Sequence, residues 1–431
     1  MYAQTFKTDV LVIGGGASGA AAAIQSARSK VKTILAIQDS LPYFSTPVSG
    51  MCMVSTNKNI PSGIWGEFSK RIGDIYKKKP GYDTAYNSIL HFERNTGTII
   101  LKKIVDTTKN LTVYNNTTFA AIKKDGDYWE VSITRDGKAI KVRARVVVDC
   151  TETGDVASKA DAKILSGFNV YKSSQIKTYR TSIAAAEDLP GPEYNDDNTS
   201  VDHYPSLPAY TIPISAVLLK DVDNLLAVEN VLPSKKNIQY LPMQLELGQG
   251  VGAIAAYCAF FKTTTKNLKV RTIQGELLDF KAYLLPFADI SLQNPNWRAI
   301  QQVCATGVLK GVQQVTRDGS QFLFKPDSLV NTDEIKPTLT ELYTRAFLWF
   351  IKEKPGKKFT IGNLLSFISD YTLTDPKVLN AGIQKAWKTQ YKFNLNFDPN
   401  RQVTRLEFAV LANKFLNPFA RTVDLQGNVV N

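Results

Sequence analysis

The pattern of apolar and polar residues near the start of the chain predicts a strand, a tight turn and a helix. Val10 to Ile13 is a run of β-branched and aliphatic residues, and Gly14, Gly16 and Gly19 follow it within an alanine-rich stretch. A short apolar run that ends in glycines and continues into helix-forming residues is typical of a βα unit. Thr33 to Ile37 then predicts the second strand of a parallel βαβ arrangement.

Further along the chain, apolar and polar residues alternate from Asn110 to Val148, which predicts antiparallel strands. The pair Asp136-Gly137 separates two alternating runs and marks a β-hairpin. The last run ends in Val146 to Val148, and the turn Asp149 to Ala157 leads into a helix start. We therefore expect an α/β fold with a Rossmann-like parallel sheet and an inserted antiparallel β element.

The C-terminal third contains an internal repeat with a helical pattern. Phe324 to Asp327 (FKPD) recurs 73 residues later as Phe397 to Asn400 (FDPN). In the second copy, Thr404 and Glu407 have the spacing of a capping box at the start of an apolar helix. The first copy is weaker, and its Pro337 fits a helix only near the helix start. These features predict a C-terminal α-helical repeat domain.

Composition is that of an ordinary globular protein, so it narrows the chemistry rather than the fold. The 431 residues include 52 Lys and Arg against 39 Asp and Glu, which gives a formal net charge of +13. The lysines are scattered, so we expect a solvated basic surface and no nucleic-acid partner, with an acidic envelope polymer as the alternative. Four single cysteines and two histidines predict no metal site. The longest apolar run, Ile254 to Phe261, is too short for a transmembrane segment.

The extreme N-terminus bears on location. Tyr2-Ala3-Gln4 stands directly before the first strand and resembles the sequence that remains after cleavage of a secretory signal. This favours a periplasmic or secreted protein, and a short cytoplasmic N-terminus is the alternative.

The glycine spacing suits one kind of ligand. Gly14 allows a sharp turn, Gly16 lets the backbone approach a pyrophosphate, and Gly19 lets the helix pack close to the strand. A phosphate would then lie at the helix N-terminus, where unpaired N–H groups and the helix dipole favour negative charge. The alternative is a glycine-rich turn in an ordinary βα unit.

Several motifs in order resemble one family. GGGASG at 14–19, PSGIWGEF at 61–68, DCTETGDVA at 149–157 and the segment 210–256 are similar to FAD-dependent oxidoreductases of the glutathione-reductase-like class, and more narrowly to a bacterial family whose members are often labelled xanthan lyase. The resemblance implies non-covalent FAD and hydride transfer from a small or sugar-derived substrate. In that family a Pro followed by GQxxG begins a helix whose N-terminus faces the flavin. The cofactor-binding residues implied by the glycine motif and the resemblance are Gly14, Gly16, Ala17, Ser18, Gly19, Gln38, Asp39, Thr151, Gly154, Asp155, Pro242, Gly248, Gln249 and Gly252.

The chain also departs from the family. Gln38 stands where the family has Glu, Ser45-Thr46-Pro47 replaces a Gly-Gly-Met loop, and Gln239 replaces an Arg. The middle substrate region is short. We predict a first part of the FAD-binding domain at 5–165, a shortened substrate segment at 166–209, a closing part of the FAD-binding domain at 210–280, and a C-terminal helical domain with two repeats at 285–431.

Catalytic side chains are weakly determined. The candidates near the expected flavin face are Cys52, Trp65, Glu67, His91 and Glu93, of which Glu67, His91 and Cys52 are retained. Trp65 and Glu67 lie in a predicted Pro/Gly-rich loop, where they would wall a substrate pocket or fill the core. For the other candidates the alternatives are a buried cysteine, a satisfied histidine and a helix-cap Glu.

The second C-terminal copy resembles the S-layer homology repeat, whose FxP turn precedes a TRxE helix start. That resemblance implies binding to an acidic cell-envelope polymer, and the alternative is a helical domain that covers the FAD-binding domain. Three functions therefore stay open: an FAD oxidoreductase, a cofactor-poor binding protein of the same fold, and an envelope attachment protein.

Overall fold

The computed structural model describes residues 5–38, 50–54, 60–81, 90–164, 176–186, 210–228, 231, 238–316 and 319–430. The strands are β1 Thr5–Ile13, β2 Thr33–Ala36, β3 Met51–Val54, β4 Leu90–Glu93, β5 Leu111–Tyr114, β6 Thr117–Asp125, β7 Tyr128–Arg135, β8 Lys138–Asp149, β9 Lys163–Ile164, β10 Ser182–Ala186, β11 Tyr210–Pro213, β12 Leu219–Lys220, β13 Leu225–Ala227, β14 Val312–Thr316 and β15 Gly319–Leu323. The helices are α1 Ala17–Arg28, α2 Gly63–Tyr76, α3 Arg94–Thr107, α4 Asp155–Lys159, α5 Ile176–Arg180, α6 Leu241–Phe260, α7 Val270–Asp279, α8 Trp297–Cys304, α9 Thr332–Leu342, α10 Ala346–Glu353, α11 Ile361–Thr372, α12 Pro376–Thr389 and α13 Arg405–Leu411.

A parallel sheet organises the first half of the molecule. Its strands follow the order β5-β2-β1-β8, and β13 pairs in parallel with the end of β8. The α/β architecture and the parallel sheet expected from the sequence are therefore present. Val10, Leu11 and Val12 on β1 are completely buried, because helices cover one face of the sheet and a second apolar layer covers the other.

Strand β8 changes partners along its length. Its first half pairs antiparallel with β7, and β7 pairs antiparallel with β6. The hairpin expected at Asp136-Gly137 is present as the turn between β7 and β8, where both residues have positive φ. The last residues of β8 instead pair with β13. Within the predicted closing part at 210–280, β13 is the strand that joins this sheet. It begins only at Leu225, because Asp221 and Asn224 before it adopt left-handed turn conformations.

The start of α2 differs from the sequence prediction. Residues 61–68 were expected as a loop, yet the helix begins at Gly63 and includes Trp65 and Glu67. Gly63 has a φ of +43°, and a Cβ on Gly66 would overlap the Pro61 carbonyl oxygen, so the two glycines permit a tight entry into the helix rather than a loop.

Three extended segments close a triangle in the C-terminal region. Val330 N–H donates to the Val403 carbonyl at 3.0 Å, Val403 N–H to the Phe359 carbonyl at 3.0 Å, and Phe359 N–H to the Val330 carbonyl at 3.2 Å. Each of these residues is buried and stands one position before the N-cap of a helix: α9, α11 or α13. The structure thus contains three equivalent turns where the sequence predicted two copies. The middle turn was missed.

The first and third of these turns differ in how well their local structure follows from the sequence. Thr404 accepts from the Glu407 N–H and Glu407 accepts from the Thr404 N–H, which confirms the capping box. The restriction of Pro337 to a helix start was wrong, because α9 begins at Thr332 and continues through Pro337 to Leu342. Its missing N–H costs the bond to the Asp333 carbonyl, which lies at the exposed first turn.

Candidate functional site

The glycine loop lies at the carboxyl edge of the parallel sheet, where dinucleotides bind in this architecture. β1 ends at Ile13, and Gly14 turns the chain with a φ of +108° while its N–H donates to the Ala36 carbonyl at 3.0 Å. A Cβ on Gly14 would overlap the Cys150 carbonyl oxygen of the neighbouring strand end. Only glycine fits here, so the structure confirms that Gly14 provides the sharp turn.

Gly19 allows α1 to start close to the strand. A Cβ at this position would overlap the Gly14 carbonyl oxygen and lie 3.3 Å from the Cys150 Cβ. Any larger residue would push the helix N-terminus away from the loop. The close packing expected of Gly19 is therefore confirmed.

The N-terminus of α1 fits an anionic group. Gly16 is the N-cap with φ −58° and ψ 176°, no side chain caps the helix, and the first turn contains no acidic residue. Gly14, Gly15 and Gly16 are partly exposed, whereas Ala17 and Ser18 behind them are buried. The N–H groups of the first turn have no intrahelical acceptor, and the dipole favours negative charge there. The loop therefore offers a backbone cradle for a pyrophosphate, and the first turn of α1 contains no carboxylate that would compete with it.

A buried aspartate builds the second turn. Asp149 at the end of β8 is fully buried; its Oδ1 accepts from Thr151 N–H at 3.0 Å and Oγ1 at 2.6 Å, and its Oδ2 accepts from Ala157 N–H at 2.8 Å. Thr151 Oγ1 in turn accepts from Asp155 N–H at 2.8 Å. Gly154, with a φ of +69°, is the N-cap of α4. Asp149 thus holds Thr151, Gly154 and Asp155 in place beside the glycine loop.

The predicted ribose contacts are only partly within the described residues. Gln38 lies two residues after the end of β2 and is exposed at the same sheet edge as the glycine loop. Asp39 and Ser45-Thr46-Pro47 lie outside the described residues, and Gln239 is described by its backbone, in the short helical turn Ile238–Tyr240 before α6.

Helix α6 shows a different use of glycine. Pro242 lies in its first turn, whereas Gly248 and Gly252 lie well inside it and face α1. A Cβ on Gly248 would overlap the Ser18 carbonyl, and one on Gly252 would overlap the Ala22 carbonyl. The sequence interpretation attached these glycines to the flavin, but in the structure their direct effect is to bring the two helix backbones together.

Gln249 serves the same interface. Its Oε1 accepts from Ile64 N–H at 2.9 Å, and its Nε2 donates to Gln25 Oε1 at 2.9 Å. The side chain is buried and joins α6 to α1 and α2. Both ends of the amide are used within the protein. A contact between Gln249 and the cofactor stays a prediction without a geometric basis in the described residues.

Glu67 lies far from the glycine loop. It forms ion pairs of 2.7 Å with Arg28 and with Arg71. Arg28 is the last residue of α1, and a helix of that length separates its two ends by about 16 Å. The arrangement ties α2 to the end of α1, and it offers no base beside the pyrophosphate cradle.

The other candidates are distributed over α2, β3 and β4. Cys52 is buried, and burial raises the pKa of its thiol, with the Arg94 charge opposing this more weakly. His91 is partly exposed and borders a surface cavity of about 340 Å³ together with Glu93. Trp65 is buried and stacks on Phe68, with ring centroids 5.9 Å apart, as the core-filling alternative expects.

Among the described residues, no group of three or more His, Cys, Asp and Glu side chains is placed to hold a metal ion. Within the same part of the chain, no helix combines the length and hydropathy needed to cross a bilayer.

One family model matches the first region of the chain. Residues 9–188 match the sequence model of a family described as FAD dependent oxidoreductase. This stretch includes both the glycine loop and the Asp149 turn. FAD, the cofactor expected from the sequence, is confirmed by this match. No curated protein sequence matches the chain.

Solved structures with similarity to the chain include flavoenzymes. A p-nitrophenol 4-monooxygenase from Pseudomonas putida is 16% identical over 37% of this chain and 44% of its own, with a TM-score of 0.28. A bacillithiol disulfide reductase from Bacillus cereus is 18% identical over 35% and 41% of the two chains, with a TM-score of 0.25. An L-proline dehydrogenase from P. horikoshii is 19% identical over 35% and 24%, with a TM-score of 0.22. Each similarity spans less than half of the other protein, and similarities at this level carry no argument about activity.

Proposed function

We propose that the chain is an FAD-dependent oxidoreductase that transfers a hydride from a small or sugar-derived substrate to non-covalently bound FAD. The observation that carries the proposal is the partly exposed glycine loop before the uncapped N-terminus of α1, at the carboxyl edge of the parallel sheet. The match of residues 9–188 to the FAD dependent oxidoreductase family supports it.

The residues of this chain would bind and orient the cofactor. The N–H groups of the first turn of α1 would hold the pyrophosphate, and the exposed Gln38 amide would contact the ribose hydroxyls. The flavin supplies the two-electron chemistry when it is bound, so the protein needs to hold the substrate C–H against it and accept the substrate proton. His91 is the retained candidate with a partly exposed ring.

The visible spectrum after incubation with FAD and removal of the unbound cofactor tests this function. We expect a bound flavin band near ~450 nm that bleaches under anaerobic conditions when a suitable alcohol or amine substrate is added. A colourless protein that does not retain FAD would contradict the oxidoreductase function.

The variant Gly16→Asp tests where the cofactor binds. Gly16 has a backbone conformation, φ −58° and ψ 176°, that any residue can adopt, and Asp is a favoured N-cap. The apoprotein should therefore fold with an unchanged or higher Tm. Its carboxylate would occupy the anion site and repel the pyrophosphate, and we expect FAD affinity to fall at least ~10-fold. Gly356→Asp is the matched control, because it adds the same charge at an exposed turn with open space around it. Equal FAD affinity in Gly16→Asp and the control would refute the proposed pyrophosphate site.

A cofactor-poor binding protein is the second candidate, and Gln38 is the observation that favours it. The neutral amide replaces the acidic side chain that accepts both ribose hydroxyls in this fold. The variant Gln38→Glu separates the two functions. Tighter FAD binding in Gln38→Glu than in the wild type supports a weakened but functional cofactor site, whereas no binding by either protein supports the non-catalytic function.

Envelope attachment through the C-terminal turns is a further proposal, together with a periplasmic or secreted location. Arg405, the arginine of the TRxE segment, is nevertheless used internally: it donates to the Phe324 carbonyl at 2.7 Å, to the Lys310 carbonyl and to Glu334. Polymer binding would therefore depend on other basic residues. Sedimentation with purified acidic cell-wall polymer, compared with neutral polysaccharide, tests it.

A further inference from the structure

Helix α10 carries an apolar surface that the protein does not cover. Phe347, Leu348 and Ile351 are 56%, 64% and 52% exposed. At 100° per residue these three side chains lie within about 100° of the helix circumference, so they form one continuous face. Clustered exposed apolar groups of this kind mark an interaction surface.

The opposite face of the same helix explains how the exposed face is held. Ala346, Trp349 and Phe350 are buried, and the Trp349 ring packs on Phe359 and Phe367 with centroids 6.2 and 5.1 Å apart. Trp349 Nε1 also donates to Ser366 Oγ at 3.2 Å. The helix is therefore anchored from behind, and its outer face does not contribute to the core.

Basic residues flank this apolar face along the chain. The exposed Arg345 precedes Phe347, and four exposed lysines lie within seven residues after Ile351: Lys352, Lys354, Lys357 and Lys358. Among the described residues, two acidic groups form ion pairs with these cations. Glu353 lies 3.4 Å from the Lys352 ammonium, and Asp370 lies 3.9 Å from the Arg345 guanidinium. The cationic side chains exceed the acidic ones at this surface, in keeping with the net charge of +13.

We propose that this surface, the α10 tip formed by Phe347, Leu348, Ile351 and the flanking Lys352, Lys354, Lys357 and Lys358, docks on an anionic lipid bilayer. Phe and Leu side chains on one helix face enter the boundary between headgroups and acyl chains, while adjacent lysines bind the anionic headgroups. A soluble acidic polymer would pair with the lysines, but it would leave the apolar side chains in water. The combination of both features therefore favours a bilayer. The attachment is peripheral and independent of the FAD site.

Sedimentation of the full-length protein with vesicles tests the proposal. The vesicles contain equal parts of phosphatidylcholine and phosphatidylglycerol, and vesicles of phosphatidylcholine alone serve as the neutral comparison. We expect binding to the anionic vesicles only. Raising the salt from about 0.1 M to about 1 M shortens the Debye length from about 10 Å to about 3 Å and should release the protein. Absence of binding to anionic vesicles would overturn the proposal.

A triple variant separates the apolar contribution from charge. Phe347→Ser, Leu348→Ser and Ile351→Ser together should lower the apparent affinity for anionic vesicles at least ~10-fold, because the inserted apolar area is lost. The matched control is Ile99→Ser, Val378→Ser and Leu395→Ser, which removes three comparably exposed but scattered apolar residues. Circular dichroism and thermal unfolding check that both proteins fold. Equal vesicle binding by the two triple variants would refute insertion of the α10 tip.

Single lysine variants test the contribution of charge. Lys354→Gln and Lys357→Gln should each weaken binding to anionic vesicles by about fivefold.

A tryptophan at position 347 reports the depth of insertion. In Phe347→Trp, bromine-labelled acyl chains should quench the added fluorescence, whereas no additional quenching relative to the wild type would contradict insertion.

A soluble polyanion tests the alternative ligand. If sodium polygalacturonate binds the protein with an affinity that the apolar triple variant does not change, and if it displaces the protein from vesicles, the surface is a polyanion site and the bilayer proposal is wrong.

Discussion

The α1 and α6 pair and the C-terminal helices solve the same packing problem in opposite ways. In the first region, Gly248 and Gly252 remove side-chain volume so that the α6 backbone reaches the carbonyl groups of Ser18 and Ala22. In the second region, large rings such as Trp349 fill the space between helices whose backbones stay further apart. The first interface positions the helix that begins at the glycine loop, so added volume should be harmful there. The second should be sensitive to lost volume.

Truncation of the aromatic core should have the largest effect. Trp349→Ala removes a fully packed ring and its hydrogen bond to Ser366, and we expect a loss of about 3–5 kcal/mol in the free energy of unfolding. Denaturant unfolding followed by circular dichroism measures it. Phe347→Ala on the same helix is the control and should change stability by less than about 0.5 kcal/mol, because Phe347 is exposed. Comparable losses in both variants would contradict the assigned packing.

Added volume at the first interface should come next. Gly248→Ala places a methyl group against the Ser18 carbonyl, and we expect about 1–3 kcal/mol of destabilisation together with weaker FAD binding, because the N-terminus of α1 must shift. Gly382→Ala in α12 is the matched control. Its Cβ would meet open space, so the better helix former should stabilise the protein by about 0.5–1 kcal/mol. If both substitutions change the free energy of unfolding in the same direction, the proposed difference between the two positions is wrong.

The stability of the protein at alkaline pH depends on one buried thiol in each region. Burial raises the pKa of both Cys258, on α6, and Cys304, on α8, to about 12 from 9.0. Below pH 9 the thiols are neutral in both the folded and the unfolded state; as the pH rises from 9 towards 12, the unfolded state loses protons first, so the free energy of unfolding decreases. The loss is about 1.4 kcal/mol per thiol by about pH 10. Tm measured against pH should fall less steeply in Cys258→Ala and in Cys304→Ala than in the wild type, and equal slopes would contradict the shifts.

The capping box should have the smallest effect. Thr404→Ala removes the side-chain acceptor of the Glu407 N–H at the start of α13 and should cost about 1 kcal/mol. Thr404→Ser retains the hydroxyl and should restore most of this stability. Thermal unfolding of the two variants provides the measurement, and a Ser variant as unstable as the Ala variant would show that the hydroxyl is not the stabilising group.

Local signals in the sequence were sufficient where a short motif determines its own geometry. The turn and packing roles of Gly14 and Gly19 were predicted correctly, because a nearby backbone carbonyl oxygen leaves no room for a Cβ at either position. The Thr404 capping box and the Asp136-Gly137 turn were correct for the same reason. Asp149 was missed as the organising side chain, although a buried acid at a strand end before a Thr–x–x–Gly turn is a usable signal.

Long-range packing was harder to predict. The glycines of α6 were attached to the flavin because nothing local shows that they face α1. The middle C-terminal turn escaped detection because it lacks the FxP and TRxE residues. Its N-cap, Thr360, forms a capping box with Asn363 in place of a Glu. Its distance to the first and third turns is also unequal, so no constant period connects the three.

The triangle of Val330, Phe359 and Val403 has a consequence for synthesis of the chain. Each corner donates one backbone hydrogen bond and accepts another, so two corners alone leave one donor and one acceptor unpaired at buried positions. Because Val403 comes well after Phe359 in the chain, the first two segments leave the ribosome before the third can complete the triangle. Buried aromatic side chains beside the triangle, such as Phe359 and Phe408, stay exposed during that interval, and transiently exposed apolar surface of this kind favours aggregation of the nascent chain.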